Sequence, residues 1–151
     1  MLIHLVLVSG QAIPNLVPAL MERPAKVYLI ATKDMQRSGL AQRLGRILDT
    51  KGVASETIEG APDTGYTSIL EFAGNVAARV ERARPSASIV LNATGGTKLM
   101  ALGFVEVFRG RGARVIYADT AHRRIECLPS AAGTQAESVP MSDVLDVGTY
   151  L

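Results

Sequence analysis

The sequence predicts an α/β fold, a doubly wound and mostly parallel sheet of six strands with an antiparallel edge strand. Three observations carry that expectation. Apolar runs too short for buried helices alternate with longer stretches whose apolar residues recur at helical spacing. The first run, Leu2-Ile3-His4-Leu5-Val6-Leu7-Val8, is almost continuously apolar, as a parallel strand buried on both faces must be. Glycine, proline and capping residues mark the joints between runs. A length of 151 residues suits one domain, residues 1–151, with a substantial core.

Taken in order, Ser9-Gly10-Gln11 ends the first strand. Ile13, Leu16, Val17 and Leu20 then follow helical spacing, with Pro14 near the start and Pro18 limiting or kinking the helix. Ala25 to Ala31 is a second strand, followed by cap candidates from Thr32 to Asp34. Leu40, Leu44, Ile47 and Leu48 form an amphipathic helix that ends near Gly52. Val53 to Ile58 is a short third strand, and Glu59 to Tyr66 a loop. Ile69, Phe72, Ala73, Val76, Ala77 and Val80 define a third helix, with Ser68 and Glu71 at capping-box spacing and Pro85 closing it. Ala87 to Leu91 is strand four, Leu99 to Phe108 helix four and Ala113 to Ala118 strand five. Ile125 to Leu128 returns antiparallel across a turn at Asp119 to Arg124. Pro129 to Pro140 has loop composition, and Val144 to Leu151 is a short closing element.

The informative stretch joins strand four to helix four: Asn92-Ala93-Thr94-Gly95-Gly96-Thr97-Lys98. A strand that feeds through a Gly-rich turn into a helix N-terminus makes an anion site, because unpaired amides point outward and the helix dipole favours negative charge. Gly95 and Gly96 allow close backbone approach, and Lys98 adds a mobile positive charge. Ordinary strand-to-helix punctuation explains the glycines equally well. In the usual strand order, 3-2-1-4-5, strands one and four are neighbours where the order reverses, and ligands bind outside their carboxyl ends. That places Ser9-Gly10-Gln11 beside Thr94 to Lys98. The convergence of two such loops is stronger than either alone.

Other chemistries find little support. The chain lacks Gly-x-Gly-x-x-Gly after strand one, the P-loop spacing before Lys98, and Gly-x-Ser-x-Gly. One cysteine, Cys127, and two histidines, His4 and His122, argue against a metal site and against a disulfide framework, so a cytoplasmic location is expected. Met1 to Ser9 is too short for a signal or membrane segment. A net charge of +2 is compatible with a small anionic ligand and does not favour duplex nucleic acid. His4 reads as a buried or edge histidine. Arg109, Arg111 and Arg114 read as complements to the helix dipole. His122, Arg123 and Arg124 read as a solvated hairpin tip, and Asp143 and Asp146 as surface or capping groups. Helix four, nearly free of charge, is either buried beneath a neighbour or a homodimer seam.

At this point the residues resemble a known family. Val8-Ser9-Gly10-Gln11-Ala12-Ile13-Pro14-Asn15, together with Asn92-Ala93-Thr94-Gly95-Gly96-Thr97-Lys98-Leu99-Met100, is similar to the CARF (CRISPR-associated Rossmann fold) domain of type III CRISPR systems, closest to the subgroup fused to nuclease effectors. The ending Val144 to Leu151 is similar to where that Rossmann-like domain closes. The resemblance implies a homodimeric sensor of cyclic oligoadenylate, with cyclic tetra-adenylate favoured. Ser9, Gly10 and Gln11 would contact ribose, base or phosphate. Asn92 belongs to the matching motif, Thr94, Gly95, Gly96 and Thr97 would hold phosphate, and Lys98 would pair with it. No cofactor is implied.

Two alternatives stay open. Some relatives cleave their ligand without metal, by attack of a ribose 2′-hydroxyl on the adjacent phosphodiester; Ser9, Thr94 and Lys98 would then orient the sugar and stabilise charge. A Rossmann-like module for an ordinary nucleotide is the other. Most relatives continue into an effector, so the chain is expected to be either a stand-alone domain or the sensor of a longer protein.

Overall fold

The computed structural model describes residues 1–129 and 136–142. The expected closing element at 144–151, and Asp143 and Asp146, lie outside the described residues. The chain builds β1 (Leu2–Leu7), α1 (Ala12–Glu22), β2 (Lys26–Ile30), α2 (Lys33–Arg37), α3 (Leu40–Thr50), β3 (Ser55–Ile58), α4 (Tyr66–Ala83), β4 (Ser88–Asn92), α5 (Lys98–Gly110), β5 (Arg114–Asp119), β6 (Arg124–Cys127) and β7 (Glu137–Pro140). One sheet runs β3-β2-β1-β4-β5-β6-β7. The first five strands pair in parallel, and β6 and β7 add antiparallel at the edge. The doubly wound order expected from the sequence is therefore present, with β1 and β4 adjacent at its reversal.

Alternation along β1 builds both layers. Ile3, Leu5 and Leu7 face a core with Ile30, Leu91, Val115 and the aromatic rings of α5. Val6 and Val8 face the opposite side, against Leu16, Leu20, Leu44 and Leu48 of α1 and α3. Leu5 and Leu7 are fully buried, as a strand covered by helices on both faces requires. α4 and α5 pack closely because Gly103 lacks a side chain. A Cβ there would stand 2.5 Å from Ile69 Cγ2. Phe104 stacks on Phe108 beside it, with ring centroids 6.1 Å apart.

Several sequence expectations need correction. The sheet has seven strands among the described residues, not six. The extra one, β7, falls within the stretch expected to be a loop from Pro129 to Pro140. All four of its residues are exposed, and it is held by main-chain pairing to β6. Arg124 also pins it through Ser138, donating to its hydroxyl and carbonyl at 2.8 Å. Ser68 does not cap α4. The helix starts at Tyr66, after Gly65 at φ +77°. Thr32 does cap, but it caps the separate short helix α2. Pro18 lies inside α1, which continues to Glu22.

The arginines near the end of α5 do more than complement a dipole. Arg111 forks onto Glu81 at 2.8 and 2.9 Å, and Arg114 onto Glu22 at 2.6 and 2.7 Å. Arg109, in the last turn, donates to the Pro129 carbonyl. Among the described residues, no helix is long and apolar enough to cross a membrane.

Candidate functional site

The carboxyl ends of β1 and β4 open onto one crevice. β1 ends at Leu7, and Val8, Ser9 and Gly10 follow; across from them stand Gly96, Thr97 and Met100. These residues line a common cavity of about 240 Å³. The two loops picked out by the sequence therefore meet, at the position where a doubly wound sheet binds ligands.

Two buried asparagines hold the loops in place. Asn15, in α1, donates from Nδ2 to the carbonyls of Ser9 and Gln11 at 2.8 and 2.7 Å, which fixes the loop after β1. Asn92 donates to the Pro14 carbonyl at 2.7 Å. Its Oδ1 accepts from the Thr94 amide at 3.1 Å and from the Thr94 hydroxyl at 2.6 Å. The Thr94 hydroxyl oxygen in turn accepts from the Ala118 amide at 2.7 Å. The side chains of Asn92 and Thr94 are thus engaged within the fold, beneath the crevice. Asn15 was absent from the sequence candidates. An asparagine inside an apolar helical stretch was the available signal, since a buried amide needs partners.

The glycines divide their work. A Cβ on Gly95 would fall 2.0 Å from the Leu7 carbonyl oxygen and 2.9 Å from Ser9 Cβ. Gly95 is therefore required by the approach of its own β1, which brings the two loops together. Gly96 has φ +75°, a conformation glycine adopts without strain, and it turns the chain into α5. Thr97 caps that helix, its hydroxyl accepting from the Met100 amide at 3.2 Å and donating to the Asp63 carbonyl at 3.3 Å. The capped end still leaves the amides of Lys98 and Leu99 without intrahelical acceptors. Lys98 is the first residue of α5, exposed, and without a hydrogen-bond or ion-pair partner among the described residues. Gln11 lies apart from this cavity and lines a neighbouring one of about 370 Å³, with Arg43 and Thr120.

The rest of the wall carries groups that the sequence offers at most as cap candidates or loop residues. Thr32, Asp34 and Met35, after β2, and Asp63, after β3, complete the cavity. Their loops reach it because β2 and β3 extend the parallel sheet from β1. His4 is fully buried within β1 and hydrogen-bonds Glu22 at 2.7 Å. His122 pairs with Asp119 at 2.8 Å on the exposed β5–β6 turn.

Fold and crevice together define a Rossmann-like domain with a cavity where its doubly wound sheet changes direction. The family model of the Card1 CARF domain matches residues 3–150, and the chain belongs to that family. A search of curated proteins finds no match. Among solved structures, the chain is similar to Can2 from Sulfobacillus thermosulfidooxidans, in complex with cyclic tetra-adenylate. The identity is 28% and the TM-score 0.78, over 100% of this chain and 40% of that one. It is also similar to a type III CRISPR defence DNA nuclease activated by cyclic oligoadenylate, at 27% identity and TM-score 0.65, over 83% of this chain and 19% of that one. Protein VC1899 from Vibrio cholerae shares the fold at 19% identity and TM-score 0.83, over 99% and 38% of the two chains. The chain thus spans less than half the length of each of these proteins.

Proposed function

We propose that this chain is the sensor domain of a type III CRISPR system, and that it binds cyclic oligoadenylate, with cyclic tetra-adenylate favoured, as a homodimer. One observation carries the proposal. Two loops far apart in sequence, Ser9-Gly10 and Gly96-Thr97, are clamped by asparagines into a single crevice at a helix N-terminus. Phosphate fits that end of the crevice, because outward amides and the dipole favour negative charge there. Lys98 adds a charge that nothing in the described fold uses. Can2, solved with cyclic tetra-adenylate, supports the choice of ring.

The dimer reading draws on α5. Leu102 is 62% exposed and Leu99 37%, one turn of helix beside Lys98, with Ile13 of α1 also 37% exposed. A second copy laid across these residues would remove apolar surface from water and set two crevices around one two-fold-symmetric ring. If the ring is also cut, Ser9 and Lys98 are the members of the cleavage set with uncommitted groups, since the Thr94 hydroxyl both donates and accepts within the fold.

A thermal-shift panel of cyclic tri-, tetra- and hexa-adenylate, with NAD and ATP, tests the proposal. Cyclic tetra-adenylate is expected to raise Tm most. A rise with NAD or ATP and none with any ring would replace the proposal with an ordinary nucleotide-binding module. Incubation with the ring in EDTA, followed by a search for linear products, reports cleavage.

A further inference from the structure

We propose that Asp34, with Asp63 beside it, accepts hydrogen bonds from ribose 2′-hydroxyls of the bound ring and makes the site selective for ribonucleotide over deoxyribonucleotide ligands. The inference rests on the nucleotide-binding reading above and adds to it the group that reads the sugar.

The crevice does not stop at β1. Thr32, Asp34 and Asp63 line both the switch-point cavity and a second one of about 310 Å³. The first cavity is completed by Gly96 and Thr97, at the N-terminus of α5, and the second by Lys33 and Arg37. The carboxylates of Asp34 and Asp63 thus belong to the wall that two phosphate-favouring regions share. None of these charged groups has a salt-bridge or side-chain hydrogen-bond partner among the described residues.

That alternation matches the chemistry of an oligonucleotide. Phosphates are separated by sugars, and a phosphate laid against Asp34 or Asp63 would be repelled. Asp34 and Asp63 are exposed, and a ligand laid along this wall gains by turning a donor toward a carboxylate, which accepts. Each ribose carries such a donor in its 2′-hydroxyl, the group by which proteins tell RNA from DNA. The topology agrees. Asp34 follows β2, the neighbour of β1, where an acidic residue reads a ribose hydroxyl in other doubly wound nucleotide sites. Complementing the dipole of α2 explains an acid at Asp34, but Asp63 belongs to no helix and shares the same wall.

The test is calorimetric titration of wild type, Asp34→Ala and Asp63→Ala with cyclic tetra-adenylate and with its 2′-deoxy counterpart, which keeps every phosphate and every adenine amine. Wild type should bind the ribose ring at least about tenfold more tightly than the deoxy ring. Asp34→Ala should weaken the ribose ring and leave the deoxy ring unchanged or tighter, because repulsion is relieved while no donor is lost. Equal shifts for both rings in Asp34→Ala, or equal affinities of wild type for the two rings, would overturn the inference and leave the nucleotide-binding reading standing. A wild type that binds neither ring overturns both. Circular dichroism and the melting temperature of each variant separate loss of binding from loss of fold.

Discussion

Asn92, at the end of β4, donates to the carbonyl oxygen of Pro14, in the first turn of α1, at 2.7 Å. This bond ties α1, which follows the first loop of the crevice, to the end of β4, which precedes the second, and the same side chain organises Thr94 through its other end. Asn92 is 1% exposed, so water cannot replace it. Asn92→Leu should strand the Pro14 carbonyl and the Thr94 donors, at a cost of about 2–4 kcal/mol. Urea unfolding measures this. A loss below about 0.5 kcal/mol, the usual range for an ordinary surface change, would mean that the amide does not hold the loops.

Lys98 should behave in the opposite way. It occupies the first turn of α5, where a positive charge opposes the dipole by about 0.3–1 kcal/mol, and no partner among the described residues offsets this. Lys98→Ala should therefore leave the melting temperature of the free protein unchanged or slightly higher. Its affinity for cyclic tetra-adenylate should fall by roughly tenfold or more, as a charge-assisted contact is lost. The salt dependence of binding should also become shallower. A variant less stable than wild type that binds the ring normally would assign Lys98 to the fold.

Gly95 and Gly10 form a matched pair. A Cβ at Gly95 meets the Leu7 carbonyl oxygen at 2.0 Å, whereas one at Gly10 meets nothing within 4 Å. Gly95→Ala must push the β4–α5 turn away from β1, with an overpacking cost of about 1–3 kcal/mol or more. Gly10→Ala should leave stability within about 0.5 kcal/mol of wild type. Because Gly10 lines the switch-point cavity, its variant should still lose affinity for the ring. Chemical unfolding and calorimetry on the two variants give the comparison. Similar stability losses in both would contradict it.

The elements legible in the sequence are those whose burial writes a pattern. β1 and β4 are covered on both faces and read as apolar runs, and α3 and α4 bury one stripe each. Their alternation, with the usual strand order of such sheets, places Ser9-Gly10-Gln11 beside Thr94 to Lys98; Ser9, Gly10, Gly96 and Thr97 do line one cavity, while Gln11 lines the neighbouring one. β7 was not legible, because Glu137 to Pro140 buries no side chain and is held through its backbone and by Arg124. α2 has only five residues, too few to show a period. Within the site, residue types were legible but their partners were not. Glycine at Gly95 signals close approach, yet nothing in the sequence says that the approaching group is Leu7. Asp34 reads as a cap candidate and Asp63 as a loop residue; only the sheet order β3-β2-β1 brings the segments after β2 and β3 to one cavity with the end of β1.

His4 offers a prediction about the opposite end of β1 from the crevice. Its ring is fully buried; Glu22 accepts from Nε2 at 2.7 Å, while Nδ1 has no partner. Burial lowers its pKa below the ordinary 6.5, with Glu22 opposing that shift and Arg114 adding to it. The unfolded chain therefore binds a proton at a pH where the folded chain does not, and stability rises with pH across that interval. The contribution is complete above pH 6.5 and is lost as pH falls through 6.5 toward the folded value. Burial opposes ionisation of Glu22, but Arg114 and His4 outweigh it and hold its pKa below 4.5, so a second loss follows at lower pH. Urea midpoints measured from neutral pH downward should fall in wild type, beginning near pH 6.5. His4→Leu removes the titrating ring and leaves the Glu22–Arg114 pair. It should flatten the first part of the fall and keep the second. An unchanged slope between pH 6.5 and the carboxylate range would show that another group takes up the proton.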